Sequence, residues 1–197
     1  NNPSYYGLRA NTLKISKLEL KAIADFIGEE IPWSQDGFYY DINQRPAKST
    51  LYHAGLYYIL EPSAMAVVNN IDIQPGMKVL DICAAPGGKT INIASKLKGE
   101  GLLVSNDINN QRTKAILKNI ELYGVSNALI TNENHHVLEK VFPEFFDRII
   151  LDAPCSGEGM FRKDEDLIKS WERSVIETIP VQKGLLDSCA LMLRPGG

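Results

Sequence analysis

Asp81-Ile82-Cys83-Ala84-Ala85-Pro86-Gly87-Gly88-Lys89-Thr90 is the stretch that decides the fold. The run Lys78-Val79-Leu80-Asp81-Ile82 has the length and residue types of a short buried strand, and Lys89 to Leu97, stopped by Gly99, has those of a helix. The turn between them is built from small residues and paired glycines, which let a backbone approach a ligand closely. The helix start offers free N–H groups to a carboxylate or phosphate. Gly88-Lys89-Thr90 resembles the end of a nucleoside-triphosphate loop, but that loop needs a glycine at 83, where Cys83 stands. Pro86 also removes an N–H from the turn, so the grammar of a triphosphatase fails.

Outward from this turn, strands and helices alternate. Leu102 to Asn106 reads as a second strand, Asn110 to Tyr123 as a helix ended by Gly124, Asn127 to Thr131 as a third strand and Arg148 to Leu151 as a fourth. A long helix is expected from about Pro180, with Leu185, Leu186, Cys189, Met192 and Leu193 on one face. Strand, crossover, strand repeated in this way predicts a parallel sheet covered on both sides, with ligands at the carboxyl ends of its strands. Asp107 ends the second strand twenty residues after Gly87, the spacing at which such a site holds ribose hydroxyls. Turn and acid together favour a nucleoside-bearing cofactor, without separating NAD from S-adenosylmethionine.

The fourth strand runs into Asp152-Ala153-Pro154-Cys155-Ser156-Gly157-Glu158-Gly159, which brings a carboxylate and a thiol to the same sheet edge. A thiol can attack an electron-poor ring or exchange a proton, and the acid can hydrogen-bond a base. Prolines and glycines on both sides do not build an apolar core, so Cys155 is read as functional. Cys189, on the apolar face of a helix, is read as packing. His135-His136 lacks metal-ligand spacing and is expected in a solvated loop; no metal is expected.

The first sixty residues differ in texture. Ser16-x-x-Glu19 forms a capping box, Leu20, Ile23, Ala24 and Ile27 follow a helical repeat, and Gly28 stands where that helix should stop. Trp33, Phe38, Tyr39, Tyr40, Tyr52, Tyr57 and Tyr58 then crowd together, either as a small core under a short sheet or as a base-stacking surface. The 197-residue chain is 44% apolar and 23% charged, as in an ordinary globular protein, and no apolar run is long enough to span a membrane. Three widely spaced cysteines fit a reducing cytosol better than a disulfide framework. The net charge of −3 argues against strong general attraction to nucleic acid, although Lys14, Lys17, Lys21, Arg45, Lys48, Arg162 and Lys163 could form a local basic stripe.

The two motifs at 81–90 and 152–159 together resemble the Sun/NSUN family of RNA cytosine-C5 methyltransferases. Arg162-Lys163-Asp164 and Glu61-Pro62-Ser63-Ala64-Met65 are most similar to its bacterial branch acting on 16S rRNA. The resemblance implies an α/β, Rossmann-like S-adenosylmethionine-dependent methyltransferase core over 61–197, preceded by a small α+β domain over 1–60 that contacts RNA. It implies that Cys83, Ala84, Ala85, Pro86, Gly87, Gly88 and Lys89 wrap the methionine end of the cofactor, that Asp107 holds the ribose and that Arg112 supports the pocket. Asn134 falls where the family has an acid near the adenine, and Asp152 would line both cofactor and target cytosine. The family's attacking cysteine sits in a Thr-Cys strand expected beyond Gly197, so the chain as given is expected to lack its main nucleophile. Cys155 is then assigned to product release, although DNA cytosine methyltransferases use the equivalent thiol for attack. The expected partner is 16S rRNA or the small subunit, the expected state a cytoplasmic monomer without membrane contact. An NAD-dependent oxidoreductase and a non-catalytic RNA-binding fragment are the competing classes.

Overall fold

The computed structural model describes residues 5–155 and 166–197. The elements are β1 (Tyr6–Ala10), α1 (Lys17–Ile23), β2 (Ile27–Glu30), β3 (Gly37–Tyr40), α2 (Thr50–His53), β4 (Tyr57–Ile59), α3 (Pro62–Asn69), β5 (Lys78–Asp81), α4 (Gly88–Leu97), β6 (Leu102–Asn106), α5 (Asn110–Tyr123), β7 (Ala128–Thr131), α6 (His135–Val141), β8 (Arg148–Ile150) and α7 (Asp166–Met192). Among the described residues no helix is long and apolar enough to cross a membrane.

β5 to β8 form an all-parallel sheet in the order β7-β6-β5-β8. Successive residues of a strand point to opposite faces, so each strand feeds two cores. Val79 and Leu103 pack with Ile93 and Leu97 of α4 on one face, while Leu80 and Val104 pack with Phe146, Leu185 and Met192 on the other. The chain proceeds from β5 to β6 and β7 on one side, then returns to place β8 on the other. That reversal opens a crevice above the carboxyl ends of β5 and β8, where ligands of such sheets bind.

β1 to β4 form a second, antiparallel sheet in the order β2-β3-β1-β4. Leu8, Phe38 and Tyr57 are its buried centre, with Leu20 of α1 laid over them. The aromatic-core expectation therefore holds for Phe38. Trp33 departs from it: the residue is 46% exposed and its indole Nε1 donates to the carbonyl of Pro62 at 2.8 Å.

The capping box at Ser16 and Glu19 forms as expected. The helix it starts is shorter than its repeat predicts, because Ala24 turns to an extended conformation and Ile27 pairs with Tyr40 in the sheet. Gly28 is consequently a strand residue and Ile23 is 55% exposed. α7 likewise runs through Pro180 rather than starting there. Leu185, Cys189 and Met192 are buried as expected, but Leu186 is 61% exposed, one residue off the stripe.

The two sheets are joined by buried polar contacts. Asn11 Nδ2 donates to the carbonyls of Gly55 at 2.8 Å and Tyr123 at 3.0 Å, and Tyr123 Oη donates to the carbonyl of Tyr57 at 3.1 Å. The guanidinium of Arg9, also buried, reaches Ser95 on α4 at 3.2 Å and Asp36 at 3.5 Å. Asn11→Ala strips the partner from two buried carbonyls and should cost roughly 2 kcal/mol, read as a lower urea midpoint at unchanged slope.

Candidate functional site

Asp81 is the last residue of β5 and is fully buried. Its Oδ2 accepts from Thr90 Oγ1 at 2.8 Å, and Ser105 Oγ donates to the same threonine at 3.3 Å. Burial raises the Asp81 carboxyl to about 6, against the opposing pull of the Thr90 hydrogen bond. An unfolded aspartate releases its proton near pH 4, so the folded chain retains a proton that the unfolded one loses. The stabilisation is fully present below about pH 4 and disappears as pH rises through about 6, a swing of about 3 kcal/mol. Asp81→Asn should flatten that part of a plot of Tm against pH between 4 and 7.

The turn that follows is held by its own backbone and by the next strand. Ala84 N–H donates to the carbonyl of Asn106 at 2.8 Å and Gly87 N–H to that of Ala84 at 2.7 Å. Gly87 has φ of 109°, where a side chain is strained, so glycine is required there. Gly88 is packed closely against the antiparallel sheet. A Cβ on it would lie 3.0 Å from Leu60 and 3.2 Å from Tyr58, so the absence of a side chain there admits the end of the antiparallel sheet.

Asp107 follows β6 and is 2% exposed. Its Oδ2 accepts from Ala85 N–H at 3.3 Å and faces Arg112 Nη1 at 3.5 Å, while Oδ1 accepts from Asn109 N–H at 2.9 Å. Arg112 Nη2 also donates to the carbonyl of Ala85 at 2.8 Å, so Arg112 braces both the turn and the acid. Asn106, which sequence reasoning passed over, ties three turns together. Its Nδ2 donates to the carbonyls of Ile82 and Glu133 at 3.2 and 3.0 Å, and its Oδ1 accepts from Thr131 and from Glu133 N–H. An amide at a strand end beside a ligand acid was the only signal for it.

Lys89 Nζ donates to Asp152 Oδ2 at 2.5 Å. The two motifs, 63 residues apart, therefore meet across the crevice between β5 and β8. Cys155, three residues after Asp152, is exposed, while Ser156 to Gly159 and Arg162-Lys163-Asp164 lie outside the described residues. Burial pushes the Cys83 thiol up to about 12, with Asp107 and Asp81 adding to the effect, and the Cys189 thiol up to about 11. Both are protonated at neutral pH and unsuited to attack.

A cavity of about 240 Å³ runs from this turn toward β7. Cys83, Asp107, Arg112 and Asn134 line it, with Ile108 and Leu185 as apolar walls. Asn134 caps α6, its Oδ1 accepting from His136 N–H at 2.9 Å. His135 and His136 open that helix rather than a loop, and Glu139 joins them so that a ligand atom of each lies within 4.8 Å of the others. Hydrogen bonds tie these side chains to one another and to Ser188: His135 Nδ1 meets Ser188 Oγ at 2.8 Å, Ser188 donates to Glu139 Oε2, and His136 Nδ1 lies 3.3 Å from Glu139 Oε1. The basic stripe is partly neutralised, since Lys17 and Lys21 both face Glu30 and Lys14 donates to the carbonyls of Ala54 and Leu122.

Comparison with known proteins adds two kinds of likeness. Residues 68–197 match the family model "16S rRNA methyltransferase RsmB/F" and residues 1–62 match "N-terminal domain of 16S rRNA methyltransferase RsmF". Ribosomal RNA small subunit methyltransferase F of Vibrio vulnificus is 41% identical over 99% of this chain and 43% of its own length, and that of Escherichia coli is 40% identical over the same shares. The chain thus spans less than half the length of these curated relatives. A solved methyltransferase homolog from Pyrococcus horikoshii superposes with a TM-score of 0.79 at 31% identity, over all of this chain and 63% of that one. NSun6 from the same organism, at 18% identity, shares the fold with a TM-score of 0.82 over 98% of this chain and 74% of that one. With the crossed motifs at the sheet switch and a matching model over its whole parallel sheet, the chain belongs to the RsmB/F family of 16S rRNA methyltransferases.

Proposed function

We propose that this chain binds S-adenosylmethionine above the carboxyl ends of β5 and β6 and serves the methylation of C5 of a cytidine in small-subunit rRNA. The observation that carries the reading is the buried Asp107 carboxylate, braced by Arg112 and Ala85 on the wall of the cavity, which Cys83 of the first motif and Pro154 of the second also line. A carboxylate so fixed suits two ribose hydroxyls, and the neighbouring turn from Cys83 to Lys89 suits the zwitterionic amino-acid end. The donor set therefore fits the cofactor, which when bound supplies an electrophilic methyl group.

Cytosine C5 is too weak a nucleophile unaided. A thiolate adds to C6, its pair forming the S–C6 bond as the C5–C6 π pair shifts onto C5; C5 takes the methyl as the donor's sulfonium carbon–sulfur bond breaks and a neutral thioether leaves, and a base then removes the C5 proton so that the C5–C6 double bond reforms and the thiolate is expelled. Asp152, paired to Lys89, is placed in this reading to accept from the exocyclic amino group of the target ring and, when protonated, to donate to N3 as negative charge develops there. Cys83 and Cys189 are held as thiols, so the attacking group is either Cys155 or a cysteine outside residues 1–197; the family resemblance favours the second, with Cys155 aiding release. Residues 1–60 act as an RNA-contacting domain and 61–197 as the methyltransferase core, in a monomer working in the cytoplasm.

Calorimetry and a tritium-transfer assay test this together. Saturable binding of S-adenosylmethionine but not NAD, and label transfer to 16S rRNA by the protein as its gene encodes it, are expected. Selective binding of NAD would overturn the cofactor assignment. Label transfer by residues 1–197 alone would overturn the assignment of the nucleophile to a position outside them.

A further inference from the structure

The cavity has one wall that the motifs do not account for. Beyond Asp107 it continues past Ile108 to the start of α6 and to α7, with His135 and Leu185 on its wall. If Asp107 holds a ribose, a base attached to that ribose extends toward the end of β7. An adenine there presents an exocyclic amino group, a donor that needs an acceptor once water is excluded. Asn134 is the neighbouring candidate, but its side-chain oxygen already accepts from His136 N–H.

His135 is differently placed. Ser188 is 1% exposed, has one hydroxyl proton and donates it to Glu139. Its oxygen can therefore meet His135 Nδ1, 2.8 Å away, only by accepting a proton from it. The proton of the neutral imidazole is thus fixed on Nδ1, and Nε2 carries the lone pair. Burial and the neighbouring His136 lower the pKa of His135, and the Ser188 hydrogen bond lowers that of Glu139, so the relay keeps these charge states near neutral pH. The ring lies against α7 at Gly184, where a Cβ would stand 3.3 Å from Cε1 and 3.6 Å from Nε2. No hydrogen bond engages Nε2 among the described residues.

We propose that His135 reads the base of the cofactor: its Nε2, held as an acceptor by the Glu139–Ser188–His135 relay, takes the hydrogen bond of the adenine amino group. This rests on the reading of the cavity as an adenosyl site and extends it to a specificity device. A hypoxanthine base, with a carbonyl oxygen where adenine has its amino group, sets two acceptors against each other and is rejected. The relay matters because an unrestrained imidazole could move its proton to Nε2 and accept hypoxanthine as well.

The test is calorimetry on the protein as encoded, titrated with S-adenosylhomocysteine and with S-inosylhomocysteine. The unaltered protein should prefer the adenosyl compound by roughly tenfold or more, the scale of one buried hydrogen bond. His135→Ala should weaken the adenosyl compound and leave the inosyl one nearly unchanged, collapsing the preference. Ser188→Ala, a small change at a helix surface already packed, should lower adenosyl affinity only about threefold yet remove most of the rejection, because the tautomer is no longer fixed. Nitrogen NMR should find Nδ1 of His135 protonated before that substitution and a mixture after it. A preference that survives both substitutions overturns the proposal while leaving the adenosyl site intact. So does loss of the preference in Glu133→Gln alone, which would assign the base to that rim carboxylate. Binding of neither compound by the unaltered protein overturns the proposal and the adenosyl reading together.

Discussion

Asp107→Ala should lower affinity for S-adenosylmethionine about a hundredfold, equivalent to about 3 kcal/mol. A hydrogen bond to a charged partner contributes about 1.5–3 kcal/mol, and this carboxylate does more than meet a ligand. It accepts from Ala85 N–H and Asn109 N–H and pairs with Arg112, which itself holds the Ala85 carbonyl. Removal therefore loosens the turn after β5 as well as the ribose contact. Asp107→Asn keeps the shape and one acceptor, and should fall between the two in calorimetry. Thermal melts separate this from unfolding, since the lost contacts lie at one edge of the sheet. An alanine variant that binds within about threefold of the unaltered protein would show that the ribose is held elsewhere.

Cys155→Ala should trap a covalent protein–RNA adduct in the protein as encoded, visible as a heat-stable shifted band with labelled 16S rRNA, while turnover falls by roughly a hundredfold or more. The physical basis is the contrast among the three thiols. Cys83 and Cys189 are pushed up by burial, whereas Cys155 is exposed on the loop after β8, three residues after Asp152. An exposed thiol there can take up or deliver a proton when the adduct resolves. Loss of every adduct, with no label retained on the protein, would make Cys155 the attacking residue instead.

Much of the fold was legible because its signals are local. β6 and α5 have the limits their residues predict, since Gly101 and Gly124 adopt left-handed conformations that stop the chain at those points. The pairing of the 81–90 and 152–159 motifs was readable from parallel-sheet topology, and the Lys89–Asp152 contact realises it. Helix α1 was misread at its end because Leu20, Ile23, Ala24 and Ile27 fit a helical repeat while sheet pairing with Tyr40 offered Ile27 a better use. Local periodicity carries no information about a partner strand thirteen residues away. Leu186 failed for a related reason: α7 meets only a narrow apolar surface, so the stripe it buries is narrower than the one its sequence offers.

By itself the sequence determined the parallel sheet, the switch-point crevice, the Gly-rich turn and the acid at Asp107, because each depends on residues close in the chain or on the handedness of strand crossovers. Only the tertiary structure decided what Gly88 packs against, that Asn106 braces three turns, and which proton His135 holds. These depend on contacts with Leu60, Glu133 and Ser188, which are respectively 28, 27 and 53 residues distant. A hydrogen bond needs a partner within about 3 Å, and no spacing rule brings residues that far apart in sequence to that distance.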